Sequence, residues 1–299
     1  MSTNSLIGQK ILLSKESSMT DSGIAEQLRQ RLNQAVAEVK LDSIGIAFSG
    51  GVDSSLLAKL CVDAGKAVTL LTVGFNDERD IRAASGVAGW LGLNLCSEVV
   101  SMEELEDGLR AVLEGIEYDR LVRFEDCACF YYVFRLASKH NLRTVASANG
   151  MDELFCGYSA YKTRYGDEGS MLSLMRNLVD VAYGDKAEMD KLASPFGVKY
   201  VCPFMSEEFV DFAMQVPLDQ KITGADDDVR KHILRKAAID IGVPPQAALK
   251  PKKAFQYSSG VHRAIKELAK KRGFTKTEAK AAGFRGIMDA YINSLKVVP

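Results

Sequence analysis

Apolar residues along this chain recur in two alternating periods, and the alternation predicts the fold. Between Ser22 and Lys40, the apolar residues Ile24, Leu28, Leu32, Ala35 and Val39 are spaced as on one face of a helix. The apolar run Ile44 to Phe48 stops abruptly at Ser49-Gly50-Gly51, as a buried strand does at a tight turn. A helix over Asp53 to Ala64, a strand over Ala67 to Val73, a helix over Ile81 to Leu91 closed by Gly92, and a strand over Leu93 to Val100 follow. Ser101-Met102-Glu103-Glu104 carries the capping-box pattern of a helix start. A helix over Cys127 to His140 and a strand over Arg143 to Ser147 lead into the turn Ala148-Asn149-Gly150.

Strands that alternate with helices predict an α/β fold with a doubly wound parallel sheet, whose ligand site lies at the carboxyl ends of the strands. After about Gly150 the strand signal fades. Helical spacing takes over through Glu207 to Val216, Val229 to Ile241 and His262 to Lys271. The expected organisation is a flexible polar N-terminus over residues 1–20, an α/β core over 21–157 and a helical region over 158–299. No linker or internal repeat separates the last two, so the helical region is expected to complete one shared site.

Composition narrows the partners. The chain has 299 residues, 47% of them hydrophobic and 26% charged, with a formal net charge of -1. Such a balance gives no reason to expect a nucleic acid or a membrane surface. There is no long apolar run, the N-terminus is polar with an early acid at Glu16, and a cytoplasmic location is expected. Six cysteines without a Cys-x-x-Cys pair, and three histidines, lend zinc little support; reduced thiols are the default.

The chemistry is concentrated in Ser49-Gly50-Gly51-Val52-Asp53-Ser54-Ser55, between the first strand and its helix. Two glycines allow close backbone approach, serines add donors, and the helix start offers free N–H groups to a phosphate. No Gly-Lys-Ser/Thr follows, so this is not a Walker A loop. A bare Ser-Gly-Gly would be an ordinary capped turn; the whole heptad behind an apolar strand is far more specific.

That heptad resembles the signature of the PP-loop ATP pyrophosphatases, and three further segments resemble asparagine synthetases in particular. They are Ser147-Ala148-Asn149-Gly150-Met151-Asp152-Glu153-Leu154-Phe155-Cys156-Gly157-Tyr158, then Val201-Cys202-Pro203-Phe204, then Lys231 to Arg235 with Lys250-Pro251-Lys252-Lys253-Ala254-Phe255. The four segments come in family order and cover residues 25 to 265 or so. The resemblance implies an adenine nucleotide alpha hydrolase-like fold and an amide ligase that uses ATP and Mg²⁺. Such an enzyme activates a carboxylate as its acyl-adenylate, releasing pyrophosphate, and then transfers the acyl group to ammonia or an amine.

By the same resemblance, Ser49, Gly50, Gly51, Asp53, Ser54, Ser55, Val73, Ser147 and Ala148 contact ATP, and Asp53 and Asp152 hold Mg²⁺. Lys231 and Lys252 occupy the positions of the family's functional lysines, and Glu153 joins them as a catalytic candidate. The bland alternatives are helix capping for the two aspartates and a solvated basic face for the lysines.

Three departures qualify the match. Residue 2 is Ser2 where the family's glutaminase domain has its nucleophilic cysteine, and about 40 residues precede the loop, too few for that domain by the chain-length scale of domains. Ammonia is then expected from solution or from a separate amidotransferase subunit; a homo-oligomer is equally compatible. Asn149 replaces a usual glutamate and cannot serve as a base. Residues 115–126 do not reproduce the family's substrate segment. Cys127-Ala128-Cys129 leaves a PP-loop tRNA thiolase open as an alternative, although buried packing is the simpler reading of these thiols. Asn149 leaves open a catalytically impaired nucleotide-binding regulatory subunit.

Overall fold

The computed structural model describes residues 21–75, 79–250 and 259–296. In chain order, α1 (Asp21–Ala37) leads into β1 (Ser43–Ala47), followed by α2 (Val52–Asp63), β2 (Ala67–Phe75), α3 (Arg79–Leu91) and β3 (Asn94–Val100). Then come α4 (Met102–Gly115), α5 (Leu121–Lys139), β4 (Thr144–Ala146) and the short helices α6 (Met151–Leu154) and α7 (Ser159–Lys162). The long α8 (Glu168–Ala193), β5 (Lys199–Val201), α9 (Glu207–Gln215), α10 (His232–Ile241) and α11 (Pro245–Ala248) follow. Helices α12 (Val261–Lys271), α13 (Lys276–Ala281) and α14 (Ile287–Leu295) close the series.

The five strands pair in the order β3-β2-β1-β4-β5, every pair parallel, as the alternating pattern predicts. Register runs from Ser43 opposite Ala67 to Ala47 opposite Leu71, and Gly45 lies opposite Val145 on the other side of β1. The chain winds outward through β1, β2 and β3, then crosses back to lay β4 against β1. The direction therefore switches between β1 and β4, which opens a crevice at their carboxyl ends. Right-handed crossovers place α2 and α3 on one face and α5 on the other. Both faces are covered, so Ile44, Ile46, Leu70, Leu71 and Val145 are buried without polar alternation. Helices α1 and α10 pack over α2, and α8 packs over α5.

Several boundaries differ from the sequence expectation for identifiable reasons. Helix α5 begins at Leu121, ahead of Cys127, because one of the charged residues that interrupt the apolar pattern is itself buried: Glu125 has a 1% exposed side chain and shares a 2.7 Å hydrogen bond with His262 Nδ1. Strand β5 supplies only Lys199–Val201, too short to show a period, yet it extends the sheet from within the region expected to be helical. Helix α10 begins at His232 instead of Val229, for reasons that belong to the site below. Residues 1–20, expected to be flexible, lie outside the described residues. The capping box is present: Glu104 N donates to Ser101 Oγ at 3.2 Å, and Ser101 N donates to Glu104 Oε2 at 3.0 Å.

Helix α4 meets α5 at a point with no spare volume. A Cβ on Gly108 would lie 2.1 Å from the Tyr132 hydroxyl oxygen and 2.6 Å from its Cζ. Tyr132 is buried and its hydroxyl donates to the Glu104 carbonyl, so it cannot swing away. Alanine is worth ~1 kcal/mol more than glycine inside a helix, but overpacking costs ~1–3 kcal/mol. Gly108→Ala is therefore expected to lower stability; urea unfolding that gives a midpoint at or above wild type would contradict this packing.

Candidate nucleotide and metal site

Strand β1 delivers the chain to Ser49-Gly50-Gly51 at the carboxyl edge of the sheet. Gly50 has φ +66°, and a Cβ there would press on Ala84 Cα at 3.2 Å and Val87 Cγ2 at 3.3 Å, so both backbone and space demand glycine. The loop is tied by its own serines. Ser54 Oγ accepts from Ser49 N and donates to the Gly51 carbonyl, and Ser49 Oγ accepts from Gly51 N, each at 3.3 Å. Gly51 caps α2 without a side-chain bond, which leaves the first-turn N–H groups of that helix for another acceptor. Ser55 Oγ is buried and has no hydrogen-bond partner.

Asp53, the second residue of α2, projects from this loop toward Lys231. Lys231 Nζ donates to Asp53 Oδ2 at 2.6 Å and lies 2.7 Å from Asp152 Oδ1. Neither aspartate caps its helix: the caps are Gly51 and Gly150, and Glu153 Oε2 accepts from Gly150 N at 3.1 Å. The lysine side chain is 1% exposed, against 18% and 16% for the two carboxylates. Asp53 Oδ1 is buried and has no hydrogen-bond partner. The structure thus brings Asp53, Asp152 and Lys231 to one point in the β1–β4 crevice.

The surroundings keep that point narrow. A Cβ on Gly157 would fall 1.9 Å from Asp152 Oδ1 and 2.5 Å from Lys231 Cε, so only glycine leaves room for the ion pairs. Lys231 adopts φ +69° and ψ 38°, a left-handed conformation costly for a residue with a Cβ. Its backbone is pinned on both sides: its N–H donates to the Lys221 carbonyl at 2.7 Å, and its carbonyl accepts from Arg235 N at 2.9 Å. Lys221 is itself wholly buried, with Nζ donating to the Ala213 carbonyl at 2.7 Å, and burial lowers its pKa to about 8.

The turn before Lys231 is organised by Asp227, whose side chain is 5% exposed. Burial alone would raise its pKa, but bonds from Thr223 N, His232 and the N–H groups of Val229 and Arg230 outweigh burial and hold it well below the usual carboxylate range. Those N–H groups are consumed by the turn, which delays the start of α10 to His232. Arg230 and Arg235 spend their guanidiniums on backbone carbonyls. Arg230 Nη2 donates to the Gly157 carbonyl at 3.3 Å, and Arg235 Nη1 donates to the carbonyls of Ala248 at 2.5 Å and Lys250 at 2.9 Å. Arg235 so anchors the chain directly ahead of Lys252, which lies outside the described residues.

Next to β1, β2 continues past its last β1 partner, Leu71, through the buried Val73 to Phe75, whose N–H donates to the Ser259 carbonyl at 3.2 Å. Just past the carboxyl end of β4, Ser147 is buried and Ala148 half-buried. Ser147 Oγ lies 2.6 Å from the Tyr200 hydroxyl and accepts from Asn149 N at 3.3 Å. Exposed Asn149 donates from Nδ2 to the same Tyr200 hydroxyl at 3.1 Å. Glu153 Oε1 accepts from the Tyr158 hydroxyl at 2.7 Å; burial and then the Asp152 charge raise the pKa of Glu153. Asp119 is half exposed and paired with Arg123 Nε at 2.9 Å.

Cys127, Cys129, Cys156 and Cys202 are all buried, and burial pushes every one of these thiols up, Cys156 to about 11. They pack as small apolar groups and are poor nucleophiles as they stand. Among the described residues no cluster of three or more His, Cys, Asp or Glu could hold a metal ion, and no helix is long and apolar enough to cross a membrane. Sequence reasoning passed over Asp227, Gly157 as a contact and Tyr200. The Asp226-Asp227-Asp228 run before Val229 was the one available signal, since aspartate is apt to bond the backbone two or three residues on.

The asparagine synthase family model matches residues 27–187 and 166–291. A Methanocaldococcus jannaschii protein named as glutamine-hydrolysing asparagine synthetase 1 is 31% identical over 268 residues, covering 79% of this chain and 49% of its own. Asparagine synthetase B of Escherichia coli, also named as glutamine-hydrolysing, is 27% identical over 79% of this chain and 45% of its own. The chain therefore spans about half the length of these relatives. An NH3-dependent NAD synthetase structure from Campylobacter jejuni covers 94% of this chain and 98% of its own at 16% identity, with a TM-score of 0.40, too remote to bear on function.

The depressed Asp227 pKa has a pH consequence. Its contribution to stability is complete above the ordinary carboxylate value near 4 and is lost as pH falls toward the lower folded value. Asp227→Asn is expected to cost ~1–3 kcal/mol at pH 7, the scale of losing hydrogen bonds to a charged acceptor. The difference from wild type should shrink as pH falls below about 4. A difference that stays constant down to acid pH in denaturant titrations would remove the carboxylate from this role.

Proposed function

Since the chain belongs to the asparagine synthase family, we propose that it activates a carboxylate with ATP and passes the acyl group to ammonia or an amine. The observation that carries this reading is the meeting of Asp53 from the phosphate loop, Asp152 from the second motif and buried Lys231 at one point. Phosphates would lie over residues 49–55 against the free N–H groups of α2, with adenine against the β2 edge at Val73 and the turn at Ser147 and Ala148.

In the first step an oxygen of the substrate carboxylate attacks the α-phosphorus, and the bond to the β-phosphate oxygen breaks. Pyrophosphate leaves carrying the charge. Lys231 and Lys252 stabilise that charge as it grows. In the second step the nitrogen attacks the acyl carbon, AMP leaves, and the nitrogen gives up a proton.

The residues fit a Mg²⁺ ion. Two carboxylates already converge on one cation, Asp53 Oδ1 is unsatisfied, and one or two carboxylates with substrate phosphates is the usual Mg²⁺ environment. Asp53 and Asp152 would hold it, and it would neutralise phosphate charge.

Asn149 cannot take the proton from the nitrogen. Glu153, whose proton affinity is raised by burial and by Asp152, is the base this reading assigns. Its partners Gly150 N and Tyr158 hold it in place, each on a different carboxylate oxygen, which leaves lone pairs for the proton.

Turnover with ATP, Mg²⁺ and a panel of carboxylates should release AMP and pyrophosphate; ADP as the main product would refute adenylation. Lys252→Ala should slow that release by ~10²-fold or more, the scale of losing one charged transition-state stabiliser. A separate expectation concerns the second step. Asparagine formation from aspartate and ammonium should be weak, because Asn149 takes away one candidate base and leaves Glu153, already engaged by Gly150 N and Tyr158, and losing a general base costs ~10²–10⁴ in rate. Asn149→Glu should raise it. Vigorous asparagine synthesis by the unaltered protein, measured over a pH range, would show that Asn149 is no handicap.

A further inference from the structure

Resting on the nucleotide-binding reading above, we infer that Lys231 is a resident cation of the Asp53–Asp152 pair, keeping a divalent ion out until phosphates draw its ammonium away. Both contacts are short, 2.6 and 2.7 Å, and they use the oxygens that the proposed metal would need. The ammonium and a divalent ion cannot share one point. Either the lysine occupies it or the metal does.

Three features show that the lysine is installed there by the fold. Its side chain is 1% exposed, so the ammonium is not a solvent-facing group that happened to find a carboxylate. Its backbone sits at φ +69° between two hydrogen bonds, a conformation that persists only because the Lys221 carbonyl and the start of α10 impose it. Glycine at position 157 leaves the stem room, since a Cβ there would meet Lys231 Cε at 2.5 Å.

The charge count says why such a cation is needed and why it can leave. Two carboxylates drawn together out of water repel, and one ammonium between them relieves most of that repulsion. The group still carries a net charge of -1 if all three are ionised, and Asp53 Oδ1 stays unsatisfied, so the pair is not saturated. Triphosphate brings several anionic oxygens to the adjoining loop. A lysine on a flexible stem can turn its ammonium to those oxygens without moving its backbone. The carboxylates it releases then face the metal that arrives with the phosphates. Metal and nucleotide are thereby coupled: each binds well only in the company of the other.

The test follows the metal without requiring turnover. Mn²⁺ is titrated, without nucleotide, into wild type and Lys231→Met, with free ion read by electron paramagnetic resonance. Lys236→Met serves as a control, because that lysine is exposed on α10. Lys231→Met should bind Mn²⁺ about ten-fold or more tightly than wild type, a difference of one decade in affinity. The control should match wild type. Melting temperatures give a second measurement: Mg²⁺ alone should raise that of Lys231→Met but not that of wild type, which should respond to Mg²⁺ and pyrophosphate together.

If Lys231→Met folds only with Mg²⁺ present, the exchange is supported directly. If it does not fold at all, the wild-type melting series decides the question. Wild type that binds Mn²⁺ alone as tightly as Lys231→Met, or that is stabilised as fully by Mg²⁺ alone as by Mg²⁺ with pyrophosphate, overturns the resident-cation role and leaves the nucleotide site standing. No response of either protein to Mg²⁺, pyrophosphate or ATP in any combination overturns the nucleotide site itself.

Discussion

Burying one ammonium between two carboxylates is the constraint around which this molecule is arranged. A charge withdrawn from water is costly unless paired, and removing one member of a buried pair typically costs ~3–5 kcal/mol. Here the three members come from distant parts of the chain: Asp53 follows β1, Asp152 follows β4, and Lys231 precedes α10. Their meeting holds the helical region against the switch point of the sheet. The site is thus a joint between the two parts of the chain as well as a place for ligands.

Satisfying that joint spreads demands outward. Lys231 must adopt a left-handed backbone, which the Lys221 carbonyl holds from one side. Asp227 supplies the turn that leads into it, binding the N–H groups that would otherwise start a helix early. Gly157 must lack a side chain, and Arg230 bonds the carbonyl of that same glycine. Arg235 then fixes the carbonyls of Ala248 and Lys250. Electrostatic pairing, backbone strain and arginine anchoring form one connected arrangement.

The turn after β4 is built on different chemistry. Tyr200, contributed by the short β5, gathers Ser147 and Asn149 through its hydroxyl, so the turn after β4 is held by neutral hydrogen bonds. Burial keeps the nearby thiols protonated and inert, which makes them part of the packing. Glu153 is the exception, a carboxylate whose proton affinity rises because it is buried beside Asp152. Charged and neutral contacts therefore meet within the single segment Asn149 to Glu153.

How much of this was legible depends on the range of the interactions involved. The strands β1 to β4, most helices and the phosphate loop announced themselves, because hydrophobic period, glycine placement and the Ser101 capping box are local and repeat within a few residues. Strand β5 was hidden: three residues carry no period, and they become a strand only when β4 offers an edge. The start of α5 was hidden because Glu125 looks like a surface residue until His262, far along the chain, covers it. The motifs named Asp53, Asp152 and Lys231 separately, but nothing in their spacing says that one ammonium bridges both carboxylates. The sequence by itself settled the period, the turn chemistry and the identity of the charged groups. Only the tertiary structure decided which charges are buried together, since desolvation depends on neighbours that are close in space and far along the chain.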